Sequence, residues 1–429
     1  MNSRFDPSPA AVPPRGQLLL VSICLALYLL FCLQQIVLPF RFFGMALSLG
    51  SVTMLGCMLA ISAGSLVRHG VPSELVRPLL AILMCIAALS ASVLASNHIG
   101  LACAFAVRYA TSLLALWAML NLAAACPRWP RAATLAALIA VWFNLALAGA
   151  VWFQWPGALR VALAFHPEET FKYLPRISGM YEHPALLATS AAMVLLLVLR
   201  LQQRGEVGKI SLALALVGAV LALALTQVRN TLLPVGVLMA WWAWPRACTS
   251  NRQRHIARVA LGGIAVLAVF VLWLRYPDMT SAAQENMMTA FTLGRTYLWS
   301  GALDAWRDHP WFGLGAGVFQ FMVPDYTGGR FHRGELHAHN LLLAALSETG
   351  LFGLLAGLAL IFALWRPLLR IAAERQWAIA WLILVLGLST FDFYFPFFPF
   401  SMHAALAVAS LHAGQSAPSQ ADGVSRSTT

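Results

Sequence analysis

Long apolar runs separated by short polar breaks dominate this sequence. They fall near 17–37, 43–65, 78–96, 99–124, 132–153, 184–200, 209–228, 231–245, 256–274, 349–366, 376–391 and 400–412. Most approach the ~20 residues that a helix needs to cross a bilayer core. None alternates with period two, as the strands of a membrane barrel would, and open irregular backbone finds no hydrogen-bond partners in lipid. The pattern predicts an all-α polytopic membrane protein of about 12 transmembrane helices.

The polar breaks orient this bundle. With the N-terminus inside, the cytoplasmic loops carry Arg68 and Arg77; Arg128 and Arg131; Arg200, Arg204 and Lys209; Arg246, Arg252, Arg254 and Arg258; and Arg366, Arg370 and Arg375. The short outside loops hold only Arg41 and Arg229. That bias predicts both termini in the cytoplasm. Two longer loops, near 154–183 and 275–338, then fall outside. The predicted organisation is a cytoplasmic tail at 1–16, spans one to nine over 17–274, a large loop over 275–338 between spans nine and ten, three more spans over 339–412, and a small polar, disordered tail at 413–429. The polar, Pro-rich start precedes an apolar run too long for a signal-peptide core, so the first span is expected to remain uncleaved.

A loop as long as 275–338 is expected to fold. Its stretch FTLGRTYLWSGALDAWRDHPWFGLGAGVF has helical apolar spacing at Leu298, Ala302, Ala305 and Trp306, and His309-Pro310 stops that helix. The GLGAG that follows lacks the GK[ST] of a phosphate loop and reads as a glycine-rich turn at the membrane surface.

Composition agrees with lipid as the main solvent. The 429 residues are 60% hydrophobic and 10% charged, where a soluble protein carries about 25% charged residues. The formal net charge of +12 lies in short loops without interleaved aromatics, which argues against nucleic acid. The seven cysteines sit in apolar runs or at their cytoplasmic ends, so neither a disulfide framework nor a zinc site is expected.

In so charge-poor a chain, the outer-face polar residues stand out. Arg229 lies between two spans with almost no loop, and a guanidinium at that depth either snorkels or faces an anionic partner. Arg108 lies deeper in a span, where a structural pair and a lipid-phosphate contact fit equally. Arg295 opens the loop helix, and Arg176 lies in the other long loop. Arginines from separate loops at one membrane face suit a phosphate-bearing ligand. His339 and Asn340 stand where the large loop enters a span, followed by Gly350 and Gly353, which permit close helix packing. His339 at that mouth suits proton transfer from a hydroxyl; the plainer alternative is an interfacial histidine bonded to a loop. His337 and His339 lack a fuller ligand set for a metal.

The pattern His339-Asn340-x9-Gly350-Leu-Phe-Gly353 resembles the signature of the bacterial O-antigen ligase and polymerase superfamily. Arg295-Thr-Tyr-Leu-Trp299, with Asp308-His-Pro310 and Gly313-x-Gly315, is similar to that family's arginine helix and following turn. Thr226-Gln-Val-Arg229 resembles its Thr-x-Ser-Arg segment, with Val228 in place of the usual Ser and Asn230 in place of a small residue. RISGMYEHP, with Arg176, resembles its Arg-x-x-Gly segment. The likeness covers roughly 176–366 together with the twelve-span plan.

The resemblance implies a bacterial inner-membrane enzyme whose site faces the periplasm. It implies transfer of O-antigen glycan from undecaprenyl diphosphate to a sugar hydroxyl of lipid A–core, by a metal-independent, inverting reaction with no cofactor. Arg229 and Arg295, with Arg176 in support, would stabilise the diphosphate leaving group, and no Asp-x-Asp motif stands ready to hold a cation for that task. His339 would accept the acceptor's proton or orient the sugar; Asn340, Gly350 and Gly353 would be structural. The same motif fits a protein O-oligosaccharyltransferase or an O-antigen polymerase. A lipid-linked glycan flippase is the alternative from another class, although the sequence lacks matched interrupted spans in two halves.

Overall fold

The structure is a computed structural model that describes residues 37–42, 45–48, 70–126, 128–158, 184–228, 295–333, 336–391 and 398–413, with a few isolated positions besides. The expected span at 256–274, most of those at 17–37, 43–65 and 231–245, and both terminal tails lie outside the described residues.

One early segment departs from the all-helical expectation. β1 (Val37–Phe42) pairs antiparallel with β2 (Met45–Ser48), with Phe42 opposite Met45 and Arg41 opposite Ala46. The hairpin takes in the end of the run at 17–37 and the start of the run at 43–65. Its strands hold Val and Phe, which favour extended backbone, and Pro39, which resists a helix interior. Hydropathy does not register that difference.

Five helices follow in the first half: α1 (Ser73–Ala95), α2 (Ile99–Ala125), α3 (Trp129–Trp152), α4 (Pro184–Gln203) and α5 (Lys209–Thr226). The second half contributes α6 (Arg295–Asp308), α7 (Phe319–Tyr326), α8 (Leu341–Arg370), α9 (Ala372–Phe391) and α10 (Phe398–Ala413). Six of the described helices, α1 to α5 and α8, are long and apolar enough to cross a membrane.

Packing follows side-chain size. On α5, Ile210, Leu214, Val217 and Leu221 form an exposed stripe at helical spacing, while Ala215, Ala219 and Ala222 face inward. Small residues let membrane helices approach closely, and a stripe of large apolar side chains suits a lipid-facing surface. Helix α4 is buried from Pro184 to Leu201 and packs against α3, α5, α9 and α10. Two asparagines inside the bundle bond to their own helices: Asn121 donates to the Trp117 carbonyl and Asn144 to that of Ala140, both at 2.9 Å.

Arg200, counted above among the arginines of the cytoplasmic loops, is buried in the last turn of α4. Its Nε and Nη2 donate to the two carboxylate oxygens of Glu374 on α9, each at 3.1 Å, and Nη1 donates to Ser410 of α10 at 3.2 Å. Arg204 pairs with the same carboxylate. A bidentate guanidinium with a third bond satisfies charges that burial would otherwise penalise, and it ties three helices together.

Candidate functional site at the junction of α6 and α8

Helix α8 is interrupted at Gly350, which adopts φ 65° and ψ −162°. A side chain is strongly disfavoured in that conformation. In an unbroken helix the amides of Leu351 and Phe352 would donate to the carbonyls of Ser347 and Glu348. Instead Leu351 donates to Pro310 at 2.9 Å and Phe352 to Trp311 at 3.2 Å, while Leu314 donates to Ser347 at 2.9 Å and Gly315 to Glu348 at 3.0 Å. The loop after α6 is thus inserted into the hydrogen-bond ladder of α8. Two intrahelical bonds are replaced by four to the loop, so the break leaves none of these groups orphaned.

The inserted loop, Pro-Trp-Phe-Gly-Leu-Gly-Ala-Gly, contains the GLGAG read above as a surface turn. Close approach explains its composition. A Cβ on Gly313, at φ 69°, would fall on the backbone of Glu348, and a Cβ on Gly350 would fall on the Trp311 carbonyl. Helix α6 ends at Asp308, as its His-Pro stop predicts, and it buries Leu298, Gly301, Ala302 and Ala305. Trp306 stays partly exposed, and its indole donates to the Pro310 carbonyl at 3.2 Å.

Helix α1 braces the junction from the other side. Ser92 donates to the Glu348 carbonyl at 2.7 Å, and Ser96 donates to the Leu314 carbonyl at 2.6 Å. The Glu348 side chain completes the arrangement. One carboxylate oxygen, Oε2, accepts from the Tyr109 hydroxyl of α2 at 2.7 Å and from the Gly317 amide at 2.9 Å. Glu348 is 2% exposed, a burial that a carboxylate tolerates only when it is hydrogen-bonded.

The structure gives the named residues distinct places. Asn340 is the N-cap of α8: its Oδ1 accepts from the amides of Leu342 and Leu343 at 3.0 and 3.1 Å, satisfying donors that a helix start leaves open. His339 immediately precedes this cap, half-buried, at φ 48°. Left-handed backbone is uncommon for a residue with a side chain, and it marks a position held by its surroundings. The His337 and His339 rings lie 4.4 Å apart between centroids. Arg295 begins α6, which packs against α8. Both helices run toward the same junction, so their N-terminal ends, with Arg295 and His339, are directed away from it. Gly353 makes room for Thr349: a Cβ there would fall on the Thr349 hydroxyl. Arg229 and Arg176 lie outside the described residues. Among the described residues, no three His, Cys, Asp or Glu side chains gather where a metal ion would be held.

Several residues here escaped the sequence reading. Arg330 sits 4.3 Å from the centroid of the Tyr297 ring, beside the first turn of α6 that Arg295 opens. Burial, with the nearby Asp308 carboxylate, raises the Tyr326 phenol pKa above its ordinary value. Glu348 carried a readable signal, an acidic residue within an apolar run. Tyr109 carried none. Beside the junction lies an apolar cavity of about 240 Å³, lined among others by Leu89, Leu113, Ile361, Tyr109, Glu348 and Thr349.

Two comparisons with known proteins bear on this chain. A family model described as O-antigen ligase matches residues 214–358, which span Arg229, Arg295, His339, Gly350 and Gly353 but not Arg176. The chain is also similar to the exopolysaccharide production protein ExoQ of Rhizobium meliloti (strain 1021), with 28% identity over 161 residues. That match covers 35% of this chain and 36% of the relative's length. Across residues 214–358, this chain is thus similar to the O-antigen ligase family.

Proposed function

We propose that this protein transfers O-antigen polysaccharide from undecaprenyl diphosphate to a sugar hydroxyl of lipid A–core, on the periplasmic face of the bacterial inner membrane. The observation that carries the reading is the junction itself. It joins the helix opened by Arg295 to the helix preceded by His339, so a cation for the leaving diphosphate and a base for the acceptor hydroxyl stand on two packed elements. The Asn340 side chain occupies the Leu342 and Leu343 amides of α8, and Arg295, Arg229 and Arg176 are the groups assigned to the anion. Departure of the lipid diphosphate develops negative charge, which fixed guanidinium groups stabilise without reorganising. His339 takes the proton from the attacking hydroxyl as the new glycosidic bond forms and the bond to the diphosphate breaks. The apolar cavity beside the junction suits a lipid chain.

The likeness to an exopolysaccharide production protein favours a second reading, in which another glycan takes the place of lipid A–core as acceptor. Purified protein supplied with the donor lipid and either acceptor, in the presence of EDTA, separates the two. Ladder-bearing lipid A–core supports the ligase, and lengthened donor-linked glycan supports the polymerase. Undiminished transfer by His339→Ala and Arg295→Ala would remove the assignment of roles.

A further inference from the structure

Four backbone hydrogen bonds already close the junction between the loop and α8. A carboxylate buried in the same place is therefore not needed to satisfy the broken helix, and its desolvation is costly. Its geometry indicates another task. Glu348 Oε2 gathers the Tyr109 hydroxyl from α2 and the Gly317 amide from the inserted loop, and the Glu348 carbonyl takes Ser92 from α1 and Gly315 from the loop. This one residue thus bonds α1, α2 and the loop to α8, at the last turn before the break.

The placement of the loop decides where α6 begins, and the placement of the break decides where α8 begins. Leu341 to Thr349 form a helical segment roughly 13 Å long, capped by Asn340 at one end and held by the loop at the other. A shift at Glu348 is carried along this segment to His339 and, through the loop, along α6 to Arg295. Packed elements transmit such displacement with little loss.

We infer that Glu348 is a positioning residue: by holding Tyr109 and Gly317 on one carboxylate oxygen, it fixes the α6–α8 junction and so the two helices whose starts carry Arg295 and His339. The inference rests on the functional reading above for its consequence in transfer, but its structural half stands alone. Glu348→Gln keeps an oxygen that accepts from both partners. Glu348→Ala removes the acceptor of both bonds, and Tyr109→Phe removes one of them.

The test uses the full-length protein in lipid nanodiscs, with amide hydrogen exchange and transfer kinetics measured on the same samples. In Glu348→Ala, exchange rises by about tenfold at 313–317 and 350–353 while α4 stays as protected as in wild type; Gln restores protection. Turnover falls by about tenfold in Ala with donor KM within about twofold of wild type, and Gln restores it. Tyr109→Phe shifts both readouts in the same direction by less, and adding it to Glu348→Ala causes no further loss. Unchanged exchange at the two segments in both Ala and Phe variants overturns the inference, as does a loss of protection that extends equally to α4. Altered exchange with turnover within twofold also overturns it. Absence of transfer by the wild-type protein would instead sink the functional reading, while the exchange data still decide whether Glu348 holds the junction.

Discussion

The amide of Leu351 donates to the carbonyl of Pro310 at 2.9 Å, so the first residue after the break in α8 is bonded to the residue that stops α6. The end of one helix is completed by the interruption of another. This reciprocity makes the His-Asn-x9-Gly-x-x-Gly pattern and the upstream His-Pro-Trp-Phe-Gly stretch two halves of one structural unit.

Gly350 tests that unit most directly. Gly350→Ala places a side chain in a backbone conformation that costs about 1–3 kcal/mol, and its Cβ also meets the Trp311 carbonyl. A lowered melting temperature in detergent and a loss of transfer of at least about tenfold are expected. A variant as stable and as active as wild type would show that α8 can run unbroken.

The role of Asn340 as a cap predicts an order among substitutions. Asp and Ser retain an oxygen for the Leu342 and Leu343 amides, whereas Ala removes about 1 kcal/mol of helix stability. Hydrogen exchange in the first turn of α8 should therefore rise in Asn340→Ala and stay near wild type in Asn340→Asp. Equal exchange in the two variants would contradict the cap.

At Arg295, charge alone is expected to be insufficient. Lysine is a point charge on a flexible stem, whereas arginine presents a fixed fork to phosphate oxygens. Arg295→Lys should lower turnover by about tenfold and Arg295→Ala by more, measured as transfer from the lipid diphosphate donor. Full activity in the lysine variant would assign Arg295 a general electrostatic task.

The Arg200–Glu374 pair predicts a stability effect without a catalytic one. Glu374→Ala leaves a buried guanidinium without its bidentate partner, at a cost of about 3–5 kcal/mol, whereas joint replacement by Met and Leu should recover most of it. Thermal unfolding of the single and double variants reads this, and transfer per folded molecule should not change.

Much of this architecture was legible in the chain. The runs that form α1 to α5 stand out because a membrane helix must be apolar over most of its length. His309-Pro310 ended α6 where steric rules require. The hairpin at Val37–Ser48 was hidden because strands and spans share the same apolar residues there. His339, Asn340 and Gly350 could be identified by spacing, yet spacing offered close helix packing as the reason for Gly350. The close neighbour is instead Trp311 of a loop 39 residues upstream, and no local pattern reports so distant a contact. Glu348 sat among the nine unspecified positions of the motif. Its partners Tyr109 and Gly317 lie 239 and 31 residues away.

The nine residues between Asn340 and Gly350 act as a ruler as well as a tether. Adding or removing one would advance or retract the start of α8 by ~1.5 Å and swing His339 about 100° around the helix axis. The fixed count therefore encodes a bearing: it determines the compass direction of His339 relative to the break at Gly350.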